Sequence, residues 1–348
     1  MAETQNWYEV KQNNRVGYAL MLFVLRCFPA LFMRVLAFPV GFFYWLFAKN
    51  ARRVSADYFA RLSAFEGKAR RFSSLKHIIS FALNLVEDVQ AWAGKVKFQN
   101  VHWQNDDVGD LVKHIDAGHG AVIIISHLGN AQMLKALASA GESGTQRKMR
   151  ITTISDANIS AGFNALLLRI NKDSAFHIVS ADDIGLETIF LLQSRLEAGE
   201  VVVIAGDRVS AHTKRNVSVP FLGKSAPLPY GVFLLVALLR YPTYFVNGLR
   251  LRDFSLTSRY NMYVRKNTVD FDCPRKEREA RILLAAEQYA ENLEQLCVRY
   301  PYQWYNFFDF WQPQAVSQAQ PRSQAQAVSQ KTQPRSQEQA VSQAETPS

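Results

Sequence analysis

A histidine follows a strand that the sequence predicts near the middle of the chain. Residues 121–126 are almost all apolar and mostly β-branched, which is typical of a strand buried on both faces of a parallel sheet. His127 comes directly after this run, and Asn130 is a plausible N-cap for a predicted helix at 131–140. Because imidazole has an ordinary pKa of about 6.5, a histidine at this edge of a sheet is a candidate general base. The alternative is that His127 only caps the following helix.

A second polar pair follows another predicted strand. Residues 201–205 are apolar, and Asp207 and Arg208 come shortly after them. Parallel strands end at the same edge of a sheet, so this pair and His127 could share one cleft. An arginine there could hold an anionic group such as a phosphate, and the carboxylate could orient the arginine or a substrate hydroxyl. The alternative is a buried ion pair that only fixes the loop.

Strands and helices alternate from residue 101 onward. This pattern predicts βαβ units, and therefore an α/β fold with a mixed, largely parallel sheet flanked by helices. Strands are predicted at 121–126, 150–155, 176–180, 201–205, 216–221 and 242–252, and helices at 131–140, 163–170, 186–198, 230–240 and 277–300. Two amphipathic helices are predicted within 51–96, and the Pro- and Gly-marked loop at 221–229 is interpreted as a pocket wall.

Four motifs together resemble one protein family. They are SHLGN at 126–130, GEVVVIAGDRV at 199–209, VPFLGKSAPLPYG at 219–231 and PYQWYNFFDFW at 301–311. In this order, between Trp7 and Trp311, they are similar to the lipid A late acyltransferase (lauroyl/myristoyl transferase-like) superfamily. The resemblance is to its HLGN-x-E branch of lysophospholipid-type acyltransferases, which uses an H-x4-D/E motif. The chain differs from this motif at Gln132, where the family carries a carboxylate.

The resemblance implies a membrane-associated acyltransferase. Such an enzyme moves a fatty acyl group from acyl carrier protein or coenzyme A to a lipid or glycolipid precursor, as in lipid A biosynthesis. His127 would be the base, Asp207 would belong to the active site, and Arg208 would bind an anionic substrate. Gly129 and Asn130 would lie near the thioester, where their backbone N–H groups could stabilise an oxyanion. The acyl thioester is a substrate, and neither a cofactor nor a metal ion is expected.

Gln132 is the candidate whose chemistry departs from the motif. A carboxylate at this position would fix the tautomer of His127 and stabilise the imidazolium, whereas glutamine accepts a hydrogen bond but brings no charge. Asp156 and Asp207 are the acids that the fold could bring to the imidazole instead. The substitution keeps two other interpretations open. One is a catalytically weakened relative that binds lipid or acyl carrier protein as a subunit, and the other is a peripheral membrane scaffold.

Composition and charge restrict the partners. The 348 residues carry a formal net charge of +10, and 12% of them are aromatic. No zinc-ligand spacing, RNP-like motif or basic helix supports nucleic-acid binding, which is therefore not expected. An anionic membrane surface or the acidic acyl carrier protein fits the positive charge.

The three cysteines are far apart in the sequence, which predicts neither a disulfide framework nor a metal site and favours a reducing compartment.

The N-terminal region is predicted to contact a membrane. Residues 17–48 are rich in Leu, Phe and Val but are interrupted by Arg26 and Arg34. The longest uncharged run, 35–48, is shorter than the roughly 20 residues that span a bilayer. Three interpretations remain: a marginal span, a helical pair lying in the membrane interface, and a buried helix of the globular domain. The resembling family carries a hydrophobic anchor here, and the basic residues at 49–53 favour the cytoplasmic face of the inner membrane.

Three regions are therefore expected. They are a hydrophobic membrane anchor at 1–50, an α/β acyltransferase domain at 51–311 and a tail at 312–348. In the tail, QAVSQ recurs at 314–318, 326–330 and 339–343. Such a polar, low-complexity sequence cannot bury enough apolar surface to order itself, so the tail is predicted to be disordered and to lie outside the chemistry.

Overall fold

A computed structural model gives the fold. It describes residues 28–92, 95–104, 107–131, 133, 144–147, 149–155, 176–181, 184–208, 215–257 and 259–311. The helices predicted at 131–140 and 163–170 and the tail predicted at 312–348 lie wholly or almost wholly outside these residues. The described residues all belong to one structural unit, Met1–Gln314.

A seven-stranded sheet forms the centre of the described chain. The strands are β1 (Val101–Trp103), β2 (Ala121–Ile125), β3 (Ile151–Ser155), β4 (Phe176–Ser180), β5 (Val201–Ala205), β8 (Thr243–Arg250) and β9 (Tyr260–Lys266). Their order across the sheet is β1-β9-β8-β2-β5-β3-β4. All neighbours are parallel except β8 and β9, which are antiparallel. The predicted α/β fold with a mostly parallel sheet is therefore confirmed.

Helices flank this sheet. Their bounds are α1 (Ala30–Phe47), α2 (Lys49–Glu66), α3 (Ser74–Trp92), α4 (Asp107–Asp116), α5 (Leu186–Glu197), α6 (Tyr230–Leu239) and α7 (Arg278–Arg299).

Side chains of β2 alternate between two cores, as the strand period requires. Val122 and Ile124 face the core that α2, α5, α6 and α7 share, whereas Ile123 faces the core that includes α4. Both faces of the sheet are therefore buried, which explains the unbroken apolar runs.

β2 and β5 lie side by side in the centre of the sheet. Their register pairs Ile125 with Ala205, and the backbone N–H of Gly206 continues the pairing by donating to the carbonyl of Ile125 at 2.9 Å. A Cβ on Gly206 would lie 2.8 Å from the ring of Tyr289, so only glycine fits between the strand end and α7. The residues that follow the two strands therefore leave the sheet next to each other.

The second half of the chain differs in part from the prediction. The loop predicted at 221–229 contains a strand, β7 (Lys224–Pro229), which forms an antiparallel hairpin with β6 (Asn216–Phe221) apart from the main sheet. Alternate residues of β7 are proline or small, which hid its strand period. β9 was not predicted, and its antiparallel pairing with β8 is what makes the sheet mixed.

α1 is the apolar helix near the N-terminus. Within the described part of the chain it is the one helix long and apolar enough to cross a membrane. A signal sequence and the core helix of a soluble protein satisfy the same criterion, so this composition is weak evidence for an anchor. The buried Arg34 of α1 lies 3.4 Å from Glu87 of α3. Glu87 also accepts a hydrogen bond from Arg250, at the end of β8, at 3.0 Å.

Candidate active site

His127 and Asp207 meet at the carboxyl edge of the sheet. The Nδ1 atom of His127 lies 2.8 Å from one carboxylate oxygen of Asp207. The backbone N–H of His127 donates to the other oxygen at 2.7 Å. The same carboxylate therefore holds both the ring and the backbone of the histidine. This contact follows directly from the parallel pairing of β2 and β5, which places the two residues at neighbouring strand ends.

Asp207 is held as a carboxylate. It is 2% exposed, and burial alone would raise its pKa, but the charge of His127 and hydrogen bonds from His127 and Trp304 lower the pKa below its ordinary value of 3.8. A carboxyl whose pKa falls on folding stabilises the protein above its unfolded pKa, and this contribution is lost as the pH falls through the folded value. Asp207 is therefore ionised at neutral pH.

The ionised carboxylate determines the tautomer of His127. A carboxylate can only accept hydrogen bonds, so the hydrogen of the neutral imidazole lies on Nδ1 and the lone pair lies on Nε2. The side chain of His127 is 31% exposed, whereas that of Asp207 is 1% exposed. The acid is thus buried and its base reaches solvent. This is the arrangement in which an imidazole can take a proton from an approaching hydroxyl group.

A segment from the C-terminal part of the domain pairs with the turn that carries His127. Leu128 forms an antiparallel bridge with Trp304. The backbone N–H of Tyr305 donates to the carbonyl of His127 at 2.9 Å, and that of Gly129 donates to the carbonyl of Gln303 at 2.8 Å. The turn is thereby held by backbone hydrogen bonds on both sides of Leu128.

Gly129 could only be glycine in this turn. Its φ angle is +76°, a conformation that L-residues other than glycine rarely adopt. A Cβ at this position would also lie 2.2 Å from the carbonyl oxygen of Gly248 in β8. The glycine of the HLGN motif therefore allows the turn to pack against the sheet.

The structure corrects the expected role of the amides at Gly129 and Asn130. The N–H of Gly129 donates to Gln303, and the N–H of Asn130 donates to the carbonyl of Gly248 at 2.7 Å. Both donors are occupied by backbone carbonyls, so in this conformation neither is available to an oxyanion. The turn that the motif specifies serves to fix His127 rather than to present amides.

Trp304 is the site residue that the sequence did not identify. Its Nε1–H donates to Asp207 at 3.2 Å, to the same oxygen that accepts the backbone N–H of His127. The indole is 1% exposed and packs edge-on against Tyr58 and Phe221, with ring centroids 5.1 and 5.2 Å apart. The motif at 301–311 was interpreted as chiefly structural. The only feature of the sequence that pointed to Trp304 was its position in a segment that resembles the family.

Arg208 extends from the loop after β5 to the same C-terminal segment. It is half-buried, and its guanidinium lies 5.6 Å from the ring centroid of Phe308, within the range of a cation–π contact. Its neighbour Asp207 is engaged by His127 and Trp304. Arg208 thus lies one residue from the acid of the site, and its expected role in binding an anionic substrate stays a prediction.

Gln132 and Asp156 lie outside the described residues. The expected contact between Gln132 and His127 therefore stays a prediction, as does the candidacy of Asp156. Among the described residues, Asp207 is the acid that contacts the imidazole, and it does so from a neighbouring strand rather than from the following helix.

Groups of three or more His, Cys, Asp or Glu side chains able to hold a metal ion are absent from the described part of the chain. Neither a scan against protein-family models nor a search of curated proteins found a match for this chain.

The hydrogen bond from Trp304 to Asp207 leads to a first prediction. Replacing Trp304 by Phe removes one of three donors to the carboxylate and keeps an aromatic ring in the cluster. For the acyl transfer that the sequence predicts, we expect kcat to fall about tenfold, equivalent to about 1.4 kcal/mol, with little change in KM. Trp311→Phe is the matched control, because its Nε1–H donates to the backbone carbonyl of Phe221, at 3.4 Å, and not to Asp207. Equal losses in both variants would contradict a specific role for Trp304.

Proposed function

We propose that this chain is a membrane-associated acyltransferase. It moves a fatty acyl group from the thioester of acyl carrier protein or coenzyme A to a hydroxyl or amine of a lipid or glycolipid precursor. The observation that carries the proposal is the contact between half-buried His127 and buried Asp207 at the carboxyl edge of a parallel sheet. The resemblance of the HLGN, GDR and FLG segments to lipid A acyltransferases adds the reaction class and the substrates.

The imidazole supplies the proton transfer that this reaction requires. In the proposed mechanism, Nε2 of His127 removes the proton from the acceptor hydroxyl while that oxygen attacks the carbonyl carbon of the thioester. The C–S bond breaks as the tetrahedral intermediate collapses, and the proton on Nε2 passes to the departing thiolate. The products are an ester and a free thiol, and the imidazole is neutral again.

Asp207 stabilises the charge that forms during this step. When Nε2 takes the proton, the ring becomes an imidazolium beside a carboxylate at 2.8 Å. Since Asp207 is buried, the attraction is less screened than it would be in water. Asp207 and Trp304 act by positioning and stabilising the ring, and His127 is the residue that contacts the reacting atoms. Arg208, next in the chain, is proposed to bind an anionic group of a substrate.

The charge and the N-terminal helix support the proposed partners and location. A formal charge of +10 suits both the acidic acyl carrier protein and an anionic membrane surface. The apolar helix α1 supports association with a membrane, and the cations that follow it suit the anionic lipids at the cytoplasmic face of the inner membrane.

Acyl transfer by the purified full-length protein tests the proposal. Acyl carrier protein and coenzyme A carrying a labelled acyl chain are incubated separately with a bacterial lipid extract and the protein, and labelled lipid products are separated. We expect a product with at least one donor, and none with His127→Ala. A protein that binds acyl carrier protein or lipid but yields no product with either donor would contradict the proposal. That outcome would support the alternative of a catalytically weakened binding subunit, which Gln132 favours.

Gln132 gives a second prediction. A carboxylate at this position would restore the motif of the family, yet Asp207 already contacts Nδ1 of His127, and Nε2 must stay open to the substrate. We therefore expect Gln132→Glu to change the rate of transfer less than about threefold, or about 0.7 kcal/mol in the barrier. A gain of tenfold or more would contradict this expectation, because it would mean that residue 132 is the limiting partner of His127.

A further inference from the structure

α1 is attached to α3 along its whole length. Near the start of α1, the side-chain amide of Gln90 donates to the carbonyl of Ala30 at 3.0 Å. In the middle, Gly41 is buried against α3. Near the end, the indole N–H of Trp45 donates to the hydroxyl of Ser74 at 3.1 Å. The two helices therefore run antiparallel and in contact over about 27 Å, the length of an 18-residue helix.

The arginine within α1 faces the protein. Arg34 is 1% exposed, and its guanidinium donates to the side-chain oxygen of Gln90 at 2.9 Å and to the hydroxyl of Tyr260 in β9 at 3.4 Å. With the contact to Glu87 at 3.4 Å, its partners come from both α3 and the sheet. A helix that crossed the bilayer alone would carry this arginine into hydrocarbon and break these contacts.

α3 is in turn fixed to the body of the domain. Its buried His77 bonds to the carbonyl of Trp304 at 2.8 Å, and Glu87 pairs with Arg250 at 3.0 Å. α1 and α3 therefore cannot leave the domain together without breaking buried polar contacts. The attachment leaves α1 lying along the surface of the domain.

The opposite face of α1 is apolar and exposed. Arg34, Ala37 and Gly41 form the buried stripe, with the spacing of one helix face. The outward residues are between 40% and 70% exposed. We define the apolar face as Leu31, Phe32, Val35, Leu36, Val40, Phe42, Phe43, Leu46 and Phe47. A continuous exposed patch of this size marks an interaction surface.

Cations border the apolar face at its C-terminal end. Lys49, which begins α2, and Lys76, two residues after the Ser74 that contacts Trp45, are exposed. Arg52 lies over the ring of Trp45, with its guanidinium 5.0 Å from the ring centroid. An apolar stripe with an indole and cations at its border complements an anionic lipid surface, which offers acyl chains below a layer of phosphates.

We propose that α1 lies in the plane of the membrane, with its apolar face buried in one leaflet of an anionic bilayer, and does not cross it. This inference rests on the membrane association in the proposed function and decides between spanning and interfacial attachment. It is independent of the chemistry at His127.

Depth measurements with a fluorophore test the orientation. Single cysteines replace Phe32, Leu36, Phe43 and Phe47 of the full-length chain, with Cys27 and Cys273 changed to Ser, and each is labelled with an environment-sensitive dye. Vesicles of phosphatidylethanolamine and phosphatidylglycerol carry bromine at defined acyl positions. In-plane binding predicts the same quenching depth at all four sites. A crossing helix separates the first and last sites by about 22 Å along the bilayer normal, so graded depths would overturn the proposal.

Vesicle flotation with matched variants tests the surface. Phe43→Asp should weaken binding to phosphatidylglycerol vesicles at least tenfold, whereas Phe190→Asp on α5 should leave it within twofold. The two side chains are 64% and 67% exposed, so they lose similar apolar area.

Two results would contradict the proposal. One is an equal effect of both variants on vesicle binding. The other is that the dyes on α1 are already shielded from water without vesicles, as expected if residues 1–27 or a second copy cover the face. If the wild type binds no vesicles, the membrane association in the proposed function fails, whatever the result for acyl transfer.

Discussion

Asp207→Asn should lower the rate of acyl transfer by about 10⁴-fold, the size of the effect when the orienting carboxylate of a serine-protease triad is neutralised. From the described residues, Asp207 accepts three hydrogen bonds, two from Nδ1 and the backbone N–H of His127 and one from Trp304. Asparagine has one acceptor oxygen, so it cannot satisfy all three donors. If its amide nitrogen faces the ring, Nδ1 must be the acceptor and the hydrogen moves to Nε2, which can then no longer take a proton from a substrate.

Rates and thermal midpoints together test this prediction. Asp272→Asn is the matched control, because Asp272 forms an exposed ion pair with Arg240 at 3.3 Å, and we expect its rate to be unchanged. Some loss of stability is expected for Asp207→Asn, since its buried donors lose an acceptor. A folded Asp207→Asn protein that retains more than about a tenth of the wild-type rate would mean that another group orients His127.

His127→Ala should lower transfer at least as much as Asp207→Asn, by about 10⁴-fold or more, because it removes the base that takes the proton from the acceptor. The side chain is 31% exposed, and the backbone N–H of residue 127 and the indole of Trp304 still donate to Asp207. We therefore expect the variant to fold and to bind the acyl donor. Initial rates and donor binding, measured on the same preparation, separate the chemistry from binding.

His102→Ala is the control for this variant, since His102 lies on the surface in β1. The double variant, with both His127→Ala and Asp207→Asn, adds a sharper test. If the two residues act as one unit, the double variant should be no slower than His127→Ala alone. Multiplicative losses would indicate that Asp207 acts on the reaction by a route other than His127.

The centre of the fold could be predicted from the sequence because its strands are apolar on both faces. The predictions at 176–180 and 201–205 match β4 and β5, and that at 121–126 matches β2 within one residue. From parallel strands alone it followed that His127 and Asp207 leave the sheet at the same edge. The pattern of burial thus located both residues of the central contact before any geometry was known.

The sequence left the acid that contacts His127 open between residue 132, Asp156 and Asp207, because such a choice depends on contacts between distant segments. The motif of the resembling family implied that residue 132 is the partner of His127, but Asp207 reaches the imidazole from the neighbouring strand, 80 positions away. Trp304 lies 97 positions beyond Asp207 in the chain, and no local period reveals that its indole N–H points at the acid. The occupied amides of Gly129 and Asn130 have the same cause, since their acceptors, Gln303 and Gly248, come from segments far along the chain.

The burial of Arg34 also constrains the order of events during synthesis. α1 leaves the ribosome early, but the hydroxyl of Tyr260 that accepts a hydrogen bond from Arg34 follows 226 positions later. Until that strand is made, the arginine lacks part of its final environment, and the apolar side of the helix is exposed to chaperones and to membranes. Final placement of α1 therefore comes after translation of most of the domain. If α1 lies in one leaflet as we propose, its final attachment to lipid therefore follows the folding of the domain.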